Sequence, residues 1–136
     1  MATLWLVLAL QLSAFAPSAQ ASSGTYEAEL PAGLATAKDM CALLPCQDVF
    51  PGATHFSERK GQPPYVEAYD KAGADAKLLG YVMLSTDITD TPAYSGKPVV
   101  TLIGMDKTGH FVGVKVLKHS EPILLLGIPE SALLNF

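Results

Sequence analysis

The sequence is poor in the residues that usually announce a chemistry. It has only two cysteines, three histidines and one tryptophan in 136 residues. It contains no HExxH, no Gly-rich phosphate loop and no Gly-x-Ser-x-Gly, so the familiar zinc-protease, nucleotide-phosphate and serine-hydrolase signatures are excluded. Positive charge is also scarce and scattered. The nine Lys and Arg residues form no stripe and the net charge is −4. Without a basic face to neutralise phosphates, nucleic-acid binding is not expected. The length suits one domain with a modest core.

The first charged residue is Glu27. Before it, Leu4 to Leu10 form an apolar core that resumes through Phe15, Pro17 breaks it, and Ala19-Gln20-Ala21 offers small residues at peptidase positions. The stretch reads as a signal peptide over residues 1–21, although no Lys or Arg precedes the core. It is shorter than the about 20 residues needed to span a bilayer. The remainder is then exported, into a compartment where an even cysteine count favours a disulfide. Cys41 and Cys46 would close a very small loop. Their spacing is not Cys-x-x-Cys, and no histidine adjoins them to complete a metal site.

The pattern predicts an α+β fold: an antiparallel sheet of hairpins with flanking helices, incomplete at the C-terminus. Residues 22–64 read as a helical and loop region holding the cysteine pair, and residues 65–136 as the first part of a sheet domain. A helix is expected from Ala35, capped by Thr36 with Asp39 three residues on, and ended by Pro45. Residues 54–64 read as polar turn, with Arg59 and Lys60 exposed. Strands are expected over 65–70, 78–86, 99–106 and 110–118, pairing as two hairpins. In the last, Phe111, Gly113, Lys115 and Leu117 would share one face, with Val112, Val114, Val116 and Lys118 on the other. Asp87 to Pro92 reads as a solvated turn rather than a cation site, lacking calcium-loop spacing. Pro129 opens a further helix that Phe136 cuts short.

One polar cluster stands at the exit of the final strand: His119-Ser120-Glu121-Pro122, followed by apolar Ile123-Leu124-Leu125-Leu126. Backbone N–H groups at a strand end leading into a helix suit an anionic or planar ligand. The plain alternative is a surface His/Glu pair in a loop.

Three stretches carry a resemblance. They are Ala93-Tyr94-Ser95-Gly96-Lys97-Pro98 running into Val99 to Asp106; Gly109 to Val116; and His119-Ser120-Glu121-Pro122. Together they resemble the FMN-binding domain shared by the NosR/NirI family with RnfG and NqrC. There a Gly-Tyr-x-Gly-x-Pro approach leads into paired strands and a His-x-Glu motif follows. Asp39 to Ala53, with both cysteines, is similar to the NosR version in particular.

The resemblance implies a periplasmic FMN domain in front of membrane-spanning segments beyond residue 136. It implies an electron-transfer or regulatory protein serving nitrous-oxide reductase or its maturation factors, an electron-transfer component rather more than a stand-alone enzyme. The alternative role is a sensory or scaffolding domain. The implied flavin-binding positions are His119, Glu121, Pro122 and Ile123. The family's flavin-bearing Thr, in a Ser-Gly-Ala-Thr-type motif, is expected beyond Phe136. Gly52-Ala53-Thr54 lies on the wrong side of the strands for that role. After the Glu this chain has Pro122-Ile123-Leu124, where RnfG-like sequences have Thr-Pro-Gly.

Overall fold

The computed structural model describes residues 30–122 and 126–127. The expected signal segment, Ile123 and the helix expected from Pro129 lie outside the described residues. Among the described residues, five strands form one antiparallel meander in chain order: β1 (His55–Phe56), β2 (Val66–Tyr69), β3 (Leu78–Leu84), β4 (Val100–Asp106) and β5 (Phe111–Lys118). Short helices α1 (Cys46–Val49) and α2 (Ser85–Ile88) accompany them, with a 3-10 turn at Met40–Ala42. The α+β class and the two main hairpins, β2–β3 and β4–β5, are as expected.

Period-two burial explains the strands. Val66 and Ala68, Val82 and Leu84, and Val100 and Leu102 are all buried on one face, while their neighbours are half-buried on the other. Leu34, Met40, Leu44, Cys46, Val49, Phe50 and Ala53 cover that inner face, giving one continuous core. Met40, Leu102, Val49, Val66 and Val82 are fully buried. Each such side chain contributes about 1.5–3 kcal/mol on removal from water.

Glycine lets the cover lie this close. Gly104 and Gly113 are cross-strand partners on β4 and β5. A Cβ on Gly104 would stand 2.2 Å from the Val49 carbonyl oxygen, and one on Gly113 2.7 Å from it. The two glycines form a trough into which the end of α1 settles. Asp48 of α1 also pairs with Lys115 of β5 at 2.6 Å.

Several expectations need correction. The helix expected from Ala35 is only the 3-10 turn, and its cap is Asp39, whose carboxylate accepts from Ala42 N at 3.0 Å. Thr36 instead donates to Gly33 O. Pro45 does not close the helical region; it is the cap from which α1 starts, a place where its missing N–H costs nothing. Strand β1 sits within the stretch read as polar turn, and pairs His55 with Tyr69 and Phe56 with Ala68. Strand β3 ends at Leu84, so Ser85 and Thr86 belong to α2. Bulges at both ends of the β4–β5 pairing break the clean alternation expected of β5. Phe111 lies opposite Met105, on the outer face with Val114, and Lys118 lies opposite Val100 on the inner face.

Arg59 and Asp87 were expected on solvated loops. Their side chains are only 11% and 22% exposed and form an ion pair. Arg59 Nη1 also donates to Leu34 O at 3.0 Å, and Arg59 N donates to Lys38 O at 2.7 Å. One guanidinium thus ties the segment before the 3-10 turn to α2.

Candidate functional site

Antiparallel pairing sets Val100, at the start of β4, opposite Lys118, at the end of β5. The segment that enters β4 and the segment that leaves β5 therefore share one end of the sheet. The entering segment is folded on itself: Gly96 N donates to Ala93 O at 2.9 Å and Ala93 N to Lys97 O at 3.0 Å. Gly96 adopts φ +77, a region open to glycine. Ser85 Oγ fastens the β4 entrance, accepting from Thr101 N at 3.0 Å and donating to Val99 O at 3.1 Å.

Two of the four expected binding residues meet this turn or sit beside it. Glu121 is half-buried, and its Oε1 accepts a hydrogen bond from Ser95 N at 3.2 Å. His119 is half-buried, but its Nδ1 is fully screened from water and has no hydrogen-bond partner. An unpaired polar ring atom costs about 1–3 kcal/mol where it is buried. Such an atom is satisfied when a polar ligand atom enters beside it, and imidazole can serve as donor or acceptor there. Pro122 is exposed, and Ile123 lies outside the described residues. Sequence reasoning missed Ser95 as a member of this group. Its role rests on a backbone N–H, which no residue pattern reveals.

A second group lies on the outer face. A groove of about 350 Å³ is lined by Gln62, Pro63, Pro64, Tyr65, Tyr81 and Met83. Tyr65 and Tyr81 meet edge to face, with ring centroids 5.4 Å apart. Near it, Glu67 accepts from both Lys60, at 2.6 Å, and Tyr69. These bonds, from Lys60 first and Tyr69 second, hold the Glu67 carboxyl below its ordinary range and raise the Lys60 ammonium. None of the residues expected from sequence takes part.

Cys41 and Cys46 are joined in a disulfide with Cα atoms 5.4 Å apart. Cys46 is buried in the core and Cys41 packs half-buried against it. Among the described residues, no group of three His, Cys, Asp or Glu could hold a metal ion. Nor is any helix among them long and apolar enough to cross a membrane.

The fold and this sheet end define a small α+β module whose entering and leaving segments converge beside an unpaired buried imidazole. Comparison with known proteins makes the assignment specific. Over 60 residues, 44% of the chain, it is 47% identical to "Regulatory protein NosR" of Stutzerimonas stutzeri. Over 88 residues, 65% of the chain, it is 39% identical to "Regulatory protein NosR" of Pseudomonas aeruginosa. Over 57 residues, 42% of the chain, it is 35% identical to "Protein NirI" of Paracoccus denitrificans. Over these stretches the chain is similar to NosR/NirI-type proteins. It spans 8–12% of the length of these curated relatives. No protein-family model matches it, and no solved structure does.

Proposed function

We propose that this chain is the flavin-facing front of a periplasmic FMN module in a membrane-bound regulatory and electron-transfer protein of denitrification. The observation that carries the reading is the orphaned Nδ1 of His119, set at the sheet end where Glu121 holds the Ser95 turn. Both segments are those whose residues resemble the flavin-domain motifs. The names of the relatives, NosR and NirI, support the denitrification context and a regulatory role. Service to nitrous-oxide reductase or its maturation factors, export behind the signal at 1–21, and membrane attachment through segments beyond residue 136 follow from the same reading.

His119 and Glu121 are the residues that would face the group. FMN, when bound, supplies one- and two-electron transfer. His119 presents a ring nitrogen with no internal partner, so a polar atom of the flavin edge can pair with it without displacing a native bond. Glu121 acts on shape: by accepting from Ser95 N it keeps the Ala93–Lys97 turn folded against the β5 exit. A carboxylate fixed there also sets local negative charge, which opposes reduction of a nearby ring to its anionic form.

The test is reconstitution of the full-length exported protein with FMN. A covalent flavin survives denaturation as in-gel fluorescence. His119→Ala should change the flavin's potential or affinity. An unchanged potential and affinity would remove His119 from the site, and absence of any flavin would remove the redox reading.

A further inference from the structure

We propose that the Cys41–Cys46 disulfide is a redox control on β5 and, through β5, on the sheet end that carries His119. The coupling is argued from packing alone; its consequence for a flavin rests on the function proposed above.

Helix α1 is a single turn of four residues, far too short to hold itself together. Its position depends on its attachments. At its first residue, Cys46 is bonded to Cys41 of the 3-10 turn. At its far end, Val49 lies in the Gly104–Gly113 trough, and Gln47 Nε2 donates to Pro51 O at 3.0 Å and to Ala53 O. Asp48 reaches Lys115 of β5. β5 is an edge strand, at the opposite side of the sheet from β1, and is paired with β4 alone among the named strands. On its inner side it is packed against α1. Removing the bond that anchors α1 therefore loosens the cover of β5 first. Strands β2 and β3 keep Val66, Ala68 and Val82 beneath a cover anchored elsewhere, notably by Arg59.

The reaction is thiol–disulfide exchange with a dithiol reductant. One thiolate of the dithiol attacks the Sγ of Cys41, the less buried of the two cysteines, forming a mixed disulfide and releasing Cys46 as thiolate. The second thiol of the reductant then displaces Cys41. The chain gains two electrons and two protons as two thiols, and the dithiol is oxidised to its own disulfide. The small loop makes the bond a modest clamp, so its loss relaxes the local structure without dissolving the sheet.

The test follows amide hydrogen exchange of the exported protein, oxidised and after dithiothreitol, with the thiols counted by alkylation. Reduction should raise exchange in α1 and β5 by roughly tenfold or more, leave β2 and β3 protected, and reverse on reoxidation. The Cys41→Ser/Cys46→Ala double variant should show the raised β5 exchange whether or not dithiothreitol is present. Unchanged β5 exchange in the fully reduced chain overturns the proposal. So does equal loss of protection in all strands, or a bond that dithiothreitol does not open. None of these outcomes requires flavin, so failure here is separable from failure of the FMN reading.

Discussion

Replacing Gly104 by alanine tests the packing on which the architecture depends. A methyl carbon at this position would stand 2.2 Å from the Val49 carbonyl oxygen and 2.9 Å from its carbon. Both are backbone atoms, so no side chain can rotate away. Relief requires α1 to lift from β4 by about 1 Å, which opens the contact with Gly113 as well. Overpacking of this kind costs typically about 1–3 kcal/mol, and a backbone clash belongs at the upper end. Alanine recovers only about 0.5–1 kcal/mol through its smaller unfolded-state entropy. A net loss of about 2 kcal/mol lowers the melting temperature by roughly 8–16 °C for a domain of this size. Circular dichroism melts of wild type, Gly104→Ala and Gly52→Ala make the comparison. Gly52 has open space around it, and its change should stay within about 0.5 kcal/mol. Equal melting temperatures for Gly104→Ala and wild type would refute the trough.

The other predictions concern charge and the imidazole. Asp87→Ala should cost about 2–4 kcal/mol in urea denaturation, because it strands the largely buried Arg59 guanidinium. The Arg59→Met/Asp87→Ala double variant should cost less than Asp87→Ala alone. Asp106 is held at about 2 by hydrogen bonds, first from Thr108 and then from the His110 backbone, which favour its charged form. A depressed folded value means that its stabilisation of the β4–β5 turn is present above the ordinary value of 3.8 and fades as pH falls from there toward 2. Amide shifts of Thr108 and His110 should report that loss, and Asp106→Asn should abolish the pH dependence. His119→Leu should leave the melting temperature unchanged or raise it, since it removes an unpaired buried polar atom. A loss above about 1 kcal/mol would assign His119 a structural role.

The strands were legible where burial alternates over several residues. β4 and most of β5 could be read almost to the residue because branched side chains mark their faces. β1 could not, since two residues have no period. The bulges were invisible for another reason: an extra residue is defined against a partner strand, and Phe111 changes face only once Met105 is opposite it. α1 is hidden in the sequence because Pro45 reads there as a stop, although proline serves equally well at a helix entrance. The glycines stood in view, but that Gly104 and Gly113 form one trough depends on register. Of the candidate site, His119 and Glu121 were marked by residue type. Their link to Ser95 passes through a main-chain N–H, and the Arg59–Asp87 pair joins residues 28 apart in sequence.

Whether His119 faces a flavin is decided by nitrogen NMR of the imidazole in the full-length protein with and without FMN. The His119 Nδ1 resonance should shift when flavin binds, and His119→Leu should change the flavin's potential while the fold is retained. A bound flavin that leaves Nδ1 unshifted, with the same potential in both proteins, would contradict that placement of His119.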